Sequence, residues 1–370
     1  MHYRTEIDGL RALAVLPVIA YHAGFAGFSG GFVGVDIFFV ISGYLISSIL
    51  LDELQNQKFS LLGFYERRIR RILPALFLVL AFTAVIAWWL LLPHEIAAFG
   101  RSLMAVVVFA SNILFWKESD YFATESEYIP LLHTWSLAVE EQYYVIFPLL
   151  LAFLWKFGRK PIYILLGLLT LIGIATSEWL WRVDAGANFY LLPSRFWELL
   201  IGALAAVYLK NNQPAAGWLT QLLSLLGVAL VLGSIFLLNN SLPFPSSYAL
   251  LPTLGAALII LFASPNNLAG QILALKPLVF VGLISYSAYL WHQPLLVFAR
   301  MQPYVEPNLE LMAAMAFCSL LFAWLSWRFV ERPFRNRQRF TRSQIFIFAA
   351  VGSAFFLGLG YWFAQANQVA

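Results

Sequence analysis

The chain has 370 residues, of which 61% are hydrophobic, 17% aromatic and only 11% charged. Ordinary soluble domains are about a quarter charged, so a water-soluble globule is excluded. The net charge of +4, from 23 Lys plus Arg against 19 Asp plus Glu, is too small and too scattered to argue for a nucleic-acid partner.

Apolar blocks of about 20 residues recur along the chain, each long enough to cross a hydrocarbon core about 30 Å thick. They run near 8–27, 32–51, 72–92, 96–115, 135–155, 161–181, 192–209, 218–238, 249–264, 277–299, 309–328 and 345–364. Membrane barrels show short alternating segments instead, so the expected fold class is all-α, a polytopic helical membrane protein. Asp8, Arg11, Pro17 and His22 interrupt the first block and no small-residue cleavage site follows, so it reads as a retained helix rather than a signal peptide. The single cysteine, Cys318, cannot form an intrachain disulfide.

Three basic clusters set the topology: Arg67 to Arg71; Lys156 to Lys160; and Arg328 to Arg342. The positive-inside rule wants all three in the cytoplasm. With the N-terminus inside, this requires one block between residues 93 and 134 to make no net crossing, which predicts a re-entrant or paired element at 96–115 followed by an acidic outer loop (Glu118, Asp120, Glu125, Glu127). The organisation expected is a membrane core over 1–335, a basic cytoplasmic linker over 336–344 and an eleventh crossing within 345–370, with Ala370 on the outer side.

Charges inside membrane helices are costly unless paired or wet, so they mark candidate sites. Arg11 and His22 are eleven residues apart, which brings a helix back to within about 20° of the same face after a rise of about 16 Å. An anion on Arg11 could send a thin arm toward His22, and coenzyme A has that shape. A neutral imidazole suits a general base for a hydroxyl acceptor. The competing reading is a snorkelling arginine and a histidine bonded between helices.

In the second block Asp36 is a candidate for orienting His22, or else a helix cap; Tyr44 lies farther along. Arg67, Arg68, Arg70 and Arg71 fall on adjacent faces of a helix and suit phosphate recognition, or else topology anchoring. His133, Ser136, Glu140 and Glu141 open the fifth block, where adjacent glutamates imply a wet cavity. Arg195, Trp197 and Glu198 open the seventh, and Ser285, Tyr286, Ser287, Tyr289 and His292 polarise the tenth; these would line an acceptor pocket or make interhelical hydrogen bonds. No metal-ligand spacing, Walker loop, nucleophile elbow or CxxC is present in the sequence.

Taken together, the run Tyr3 to Val15, the Arg11/His22 spacing, Gly31 to Ile46, Phe64 to Pro74, His133 to Tyr144 and Ser285 to His292 resemble the membrane acyltransferase-3 family, and within it the bacterial O-antigen acetylases. The resemblance spans residues 3–335 in order. It implies an acetyl-CoA-dependent O-acyltransferase of the bacterial inner membrane, with acetyl-CoA as donor, no metal, and a surface or lipid-linked glycan such as lipopolysaccharide O-antigen as acceptor. By position, Arg11 and His22 correspond to the family's paired basic and histidine residues, and Arg68 and Arg71 to its Arg-x-x-Arg pair. A ten-crossing core is implied, and the eleventh helix implies a periplasmic SGNH domain that this chain lacks.

The site so assembled has His22, Asp36 and Glu140 as catalytic candidates and Arg11, Arg67, Arg68 and Arg71 for the donor. Tyr44, His133, Ser136, Glu141, Arg195, Glu198, Tyr286 and His292 are candidates for the acceptor pocket. The alternative function is a transporter that moves an acyl group or acylated carrier to a separate periplasmic transferase. Against it, the two repeated halves common in transporters are not evident.

Overall fold

The computed structural model describes residues 3–118, 127–210, 212, 214, 217–302 and 307–365. Asp120, Glu125 and Ala370 lie outside the described residues. Among those described every regular element is helical: α1 Thr5–His22, α2 Gly34–Gln55, α3 Leu61–Leu90, α4 Pro93–Val107, α5 Ser111–Glu118, α6 Thr134–Trp155, α7 Arg159–Leu180, α8 Ala185–Tyr190 and α9 Leu192–Leu209. These are followed by α10 Trp218–Leu237, α11 Leu250–Phe262, α12 Leu268–Leu273, α13 Lys276–Arg300, α14 Leu309–Ser326, α15 Arg332–Arg335 and α16 Arg342–Ala364, with a π-turn at Trp327–Glu331 between α14 and α15. Among the described residues eight helical stretches are long and apolar enough to cross a membrane. The segment Ser247–Phe262 is apolar but shorter, and α1 and α13 carry the polar residues of the site. The chain is a multi-pass helical membrane protein. Leu171, Leu237, Phe317 and Val351 remain exposed, as lipid-facing side chains do.

The helix ends follow from local chemistry. Ser60 accepts from the Gly63 amide and starts α3, so the arginines at 67–71 lie two turns inside a 30-residue helix rather than before it. Thr341 and Gln344 form a reciprocal capping box that starts α16 at Arg342, ahead of the expected 345. α1 stops at His22, five residues short of the expected end. Gly24 takes φ +75°, a conformation glycine adopts without strain, and the Phe25 amide turns back to the Ala20 carbonyl. The 96–115 segment is two helices, α4 and α5, broken where Phe109 takes φ +53°.

The chain divides into two compact units that interleave in sequence. The first comprises 1–21, 25–59 and 139–285. In it α2 packs along α9 through glycine: a Cβ on Gly43 would fall on the Leu199 carbonyl, and one on Gly202 on the Val40 carbonyl. Such backbone approach is how membrane helices associate where lipid removes the hydrophobic drive. Gly227 of α10 and Gly255 of α11 face each other's carbonyls in the same way.

The second unit comprises 22–24, 60–138 and 286–370. There Gly100 of α4 and Gly360 of α16 approach closely, and Trp88 of α3 stacks on Trp362 of α16 at 4.9 Å between ring centroids. The expected linker is docked in this unit. Phe334 stacks on Phe340 at 4.6 Å, and Arg70 donates to the carbonyls of both residues, at 3.0 and 2.7 Å.

Candidate active site

In the second unit three histidines converge. His22 ends α1, His133 immediately precedes α6 and His292 lies in α13, eight residues before its end. The His22 and His292 rings are 5.1 Å apart with Nδ1 of His22 3.2 Å from Nε2 of His292, and the His133 ring stands edge-on to His292 at 5.4 Å. His292 is fully buried and His133 is 2% exposed. Nδ1 of His292 is 2.6 Å from the carbonyl oxygen of Tyr289, one turn back along α13. The Tyr289 hydroxyl donates to the His133 carbonyl at 2.9 Å and lies 2.7 Å from Ser136 Oγ, so it ties α13 to the start of α6. Arg300 donates from Nη2 to the His22 carbonyl, one of the groups a helix C-terminus leaves without an intrahelical donor. Among the described residues no group of three or more His, Cys, Asp or Glu side chains is arranged to hold a metal ion.

The α3 arginines of the same unit divide by role. Arg70 is 3% exposed, donates to Glu66 at 3.0 Å and spends its remaining donors on the docked linker. Arg342 donates to the other Glu66 oxygen at 2.7 Å. Arg68 is 9% exposed with its guanidinium 5.8 Å from the Phe64 ring, while Arg67 and Arg71 are half-buried. Tyr286 donates to the Ile72 carbonyl at 3.0 Å, and Ser287 to Glu331, a carboxylate that also pairs with Arg335.

The first unit holds a different polar constellation. Arg195 sits between Asp36, at 3.2 Å, and Glu198, at 2.9 Å, all three closed to solvent. Phe39, Phe189 and Phe244 surround the guanidinium at 5.4 to 5.9 Å from ring centroids. Ser42 donates to Glu140 at 2.7 Å and Tyr144 to its other oxygen at 3.4 Å, while Glu141 is half-buried beside it on α6. Arg11 donates to Asp8 at 3.3 Å, and Asp8 also accepts from Tyr3 at 2.6 Å. Tyr44 accepts from Arg4 at 3.1 Å at the rim of a cavity of about 720 Å³ that also exposes Asp52 and Lys210.

Residues 4–328 match the acyltransferase domain model of the acyltransferase-3 family, most of the chain's length. The chain belongs to this family. It is 32% identical over 354 residues to an O-acetyltransferase OatA of Staphylococcus aureus, covering 90% of this chain and 58% of that protein. It is 33% identical over 350 residues to a peptidoglycan O-acetyltransferase OatA of Listeria monocytogenes, covering 90% of this chain and 56% of that protein. The chain thus spans somewhat over half the length of the relatives it matches. No solved structure matches it.

Within this family member, the structure gathers His22, His133, Ser136 and His292 into one cluster. Asp36, expected as a partner for His22, has Arg195 and Glu198 as its neighbours, and the ring bonded to His22 is that of His292. Glu140 is bonded by Ser42 and Tyr144. Tyr289, one of the polar residues of the tenth block, bonds both His133 and Ser136, and the residues that sequence reasoning passed over are Arg300, which holds the end of α1, and Ser42. The basic residue closing the tenth apolar block was a usable signal for Arg300. A serine in an apolar helix gave none.

Proposed function

We propose that this chain takes part in O-acetyl transfer, moving an acetyl group from cytoplasmic acetyl-CoA to a hydroxyl of a cell-envelope glycan at the bacterial inner membrane. Family membership supports the class of reaction, and the cluster of half-buried His22 with buried His292 and His133 is the single observation that supports its chemistry. Acyl transfer to a hydroxyl needs a base that takes the hydroxyl proton as the oxygen attacks the thioester carbon. The new O–C bond forms, the C–S bond breaks, and the proton passes through the imidazole to the departing thiolate. His22 is the proposed base. The phosphates of the donor are assigned to Arg11, Arg67, Arg68 and Arg71, the residues that by position match the family's basic residue and its Arg-x-x-Arg pair with its neighbour. The acceptor is a carbohydrate hydroxyl. The relative from Listeria is named for peptidoglycan, and lipopolysaccharide O-antigen remains the acceptor suggested by the sequence resemblance.

The test is release of free thiol from acetyl-CoA by the 370-residue chain in lipid nanodiscs, with peptidoglycan fragments or O-antigen polysaccharide as acceptor. Acceptor-stimulated thiol release that His22→Ala lowers by two to four orders of magnitude, with CoA binding retained, is the expected result. Thiol release with no acceptor acetylated in nanodiscs, together with accumulation of labelled acyl group or acylated carrier inside sealed proteoliposomes, would make the chain a transporter serving a separate transferase. Substantial turnover in His22→Ala would move the base to His133.

A further inference from the structure

The geometry around His292 specifies which nitrogen of His22 carries its proton. A carbonyl oxygen can only accept, so Nδ1 of His292, 2.6 Å from the Tyr289 oxygen, is the protonated nitrogen of that ring. His292 is fully buried, with the Arg300 guanidinium anchored at the adjacent His22 carbonyl. A second, unpaired cation at this place is strongly disfavoured, so the ring is neutral. Its Nε2 therefore has a lone pair and no proton. That nitrogen lies 3.2 Å from Nδ1 of His22, and the contact is a hydrogen bond only if His22 donates it.

We propose that His292 is a positioning residue: it accepts a hydrogen bond from Nδ1–H of His22, fixes that tautomer, and so presents Nε2 of His22 as the basic nitrogen. The chain Tyr289 carbonyl, His292, His22 orients a base as a carboxylate does in hydrolase triads, with a neutral acceptor in place of the charge. Two further contacts keep the register: Arg300 fixes the His22 backbone, and Tyr289 carries both the carbonyl that sets His292 and the hydroxyl bonded to His133 and Ser136. The inference rests on His22 being the base in the proposed reaction, but its structural content stands apart from activity.

The two are separated by using two readouts on the full chain in nanodiscs. The first is the nitrogen NMR of protein labelled with [15N]histidine. The chain has 5 histidines, and His22→Asn identifies the His22 signals by their loss. Protonation at Nδ1 of His22 in the wild type is expected; a wild-type His22 protonated at Nε2 overturns the proposal whatever the activity. The second readout is kinetic. His292→Leu should lower kcat at least about a hundredfold, as wrong-tautomer variants of triads do, with KM for acetyl-CoA within about twofold. His292→Gln, whose side-chain oxygen can accept in place of Nε2, should recover most of the loss. Equal defects in the Leu and Gln variants with CoA binding intact would leave His292 a packing residue and overturn the proposal. Absence of thiol release in the wild type would sink the transferase reading, while the tautomer is still decided by the spectrum.

Discussion

Arg195 is 1% exposed and faces two carboxylates that water does not reach, so its charge is stabilised by Asp36 and Glu198 and not by solvent. Removing one member of a buried ion cluster leaves the others uncompensated and costs about 3–5 kcal/mol, whereas replacing the whole cluster with well-packed apolar side chains is often close to neutral. Arg195→Met should therefore lower the thermal stability of the detergent-solubilised protein sharply. The triple variant Asp36→Leu, Arg195→Met, Glu198→Leu should recover most of the loss. A triple variant no more stable than the single one would show that the cluster is not held by mutual pairing. The α3 arginines call for a different measurement, because their proposed ligand is absent until the donor binds. Arg68→Ala with Arg71→Ala should weaken CoA binding by at least tenfold, as loss of two charge-assisted phosphate contacts does. Arg70→Ala should act on stability, since it unties Glu66 and the linker. Unchanged CoA affinity in the double variant would reduce the pair to a topology anchor.

Among elements, the contact between α2 and α9 is the clearest case of sequence dictating packing. Gly43 lies against the Leu199 carbonyl and Gly202 against the Val40 carbonyl, with no room for a methyl group at either. Gly43→Ala must push the backbones apart and should cost about 1–3 kcal/mol, read as a lower melting temperature. Gly167→Ala in α7 faces open space and should leave it unchanged. Equal behaviour of the two variants would mean that the close approach contributes nothing. Several element boundaries were legible before the structure and several were not, for identifiable reasons. Hydropathy discards the Glu66 to Arg71 stretch as too charged for a membrane helix, yet Ser60 is a usable cap signal that places the start of α3 eleven residues earlier. Thr341 and Gln344 likewise announce α16 in the sequence. The break between α4 and α5 was not readable, because a phenylalanine takes the positive φ and neither glycine nor proline marks it. In the site, the types of residue were readable and their pairing was not. His22 and His292 are 270 residues apart, so no periodicity joins them, and Asp36 was the nearer candidate in sequence.

At the scale of the whole molecule, the order of spans and the basic clusters together make a topology that can be tested. Arg67 to Arg71 lie in the N-terminal half of α3 and Lys156 to Lys160 follow α6, so both can face the cytoplasm only if the chain between α3 and α6 makes no net crossing. The helices found there fit that requirement by length. α4 has 15 residues and α5 has 8, which at about 1.5 Å per residue gives about 22 and 12 Å against a core of about 30 Å. Lys117, exposed near the end of α5, is therefore expected on the outer side, where α3 ends. Continuing through α7, α9, α10, α11, α13 and α14 as single crossings returns Arg328 to Arg342 to the cytoplasm, and for the short apolar segment Ser247–Phe262 that ends in α11 the charge rule, not helix length, assigns the crossing. Gln338, exposed in the linker, is expected on that inner side. Cys318 is the only cysteine, so Cys318→Ser supplies a clean background for Lys117→Cys and Gln338→Cys. In right-side-out vesicles an impermeant maleimide should label position 117 and leave 338 untouched, and inside-out vesicles should reverse the pattern. Labelling of 117 from the inner face alone would mean that α4 and α5 together complete a crossing, and would put every later span in the opposite sense.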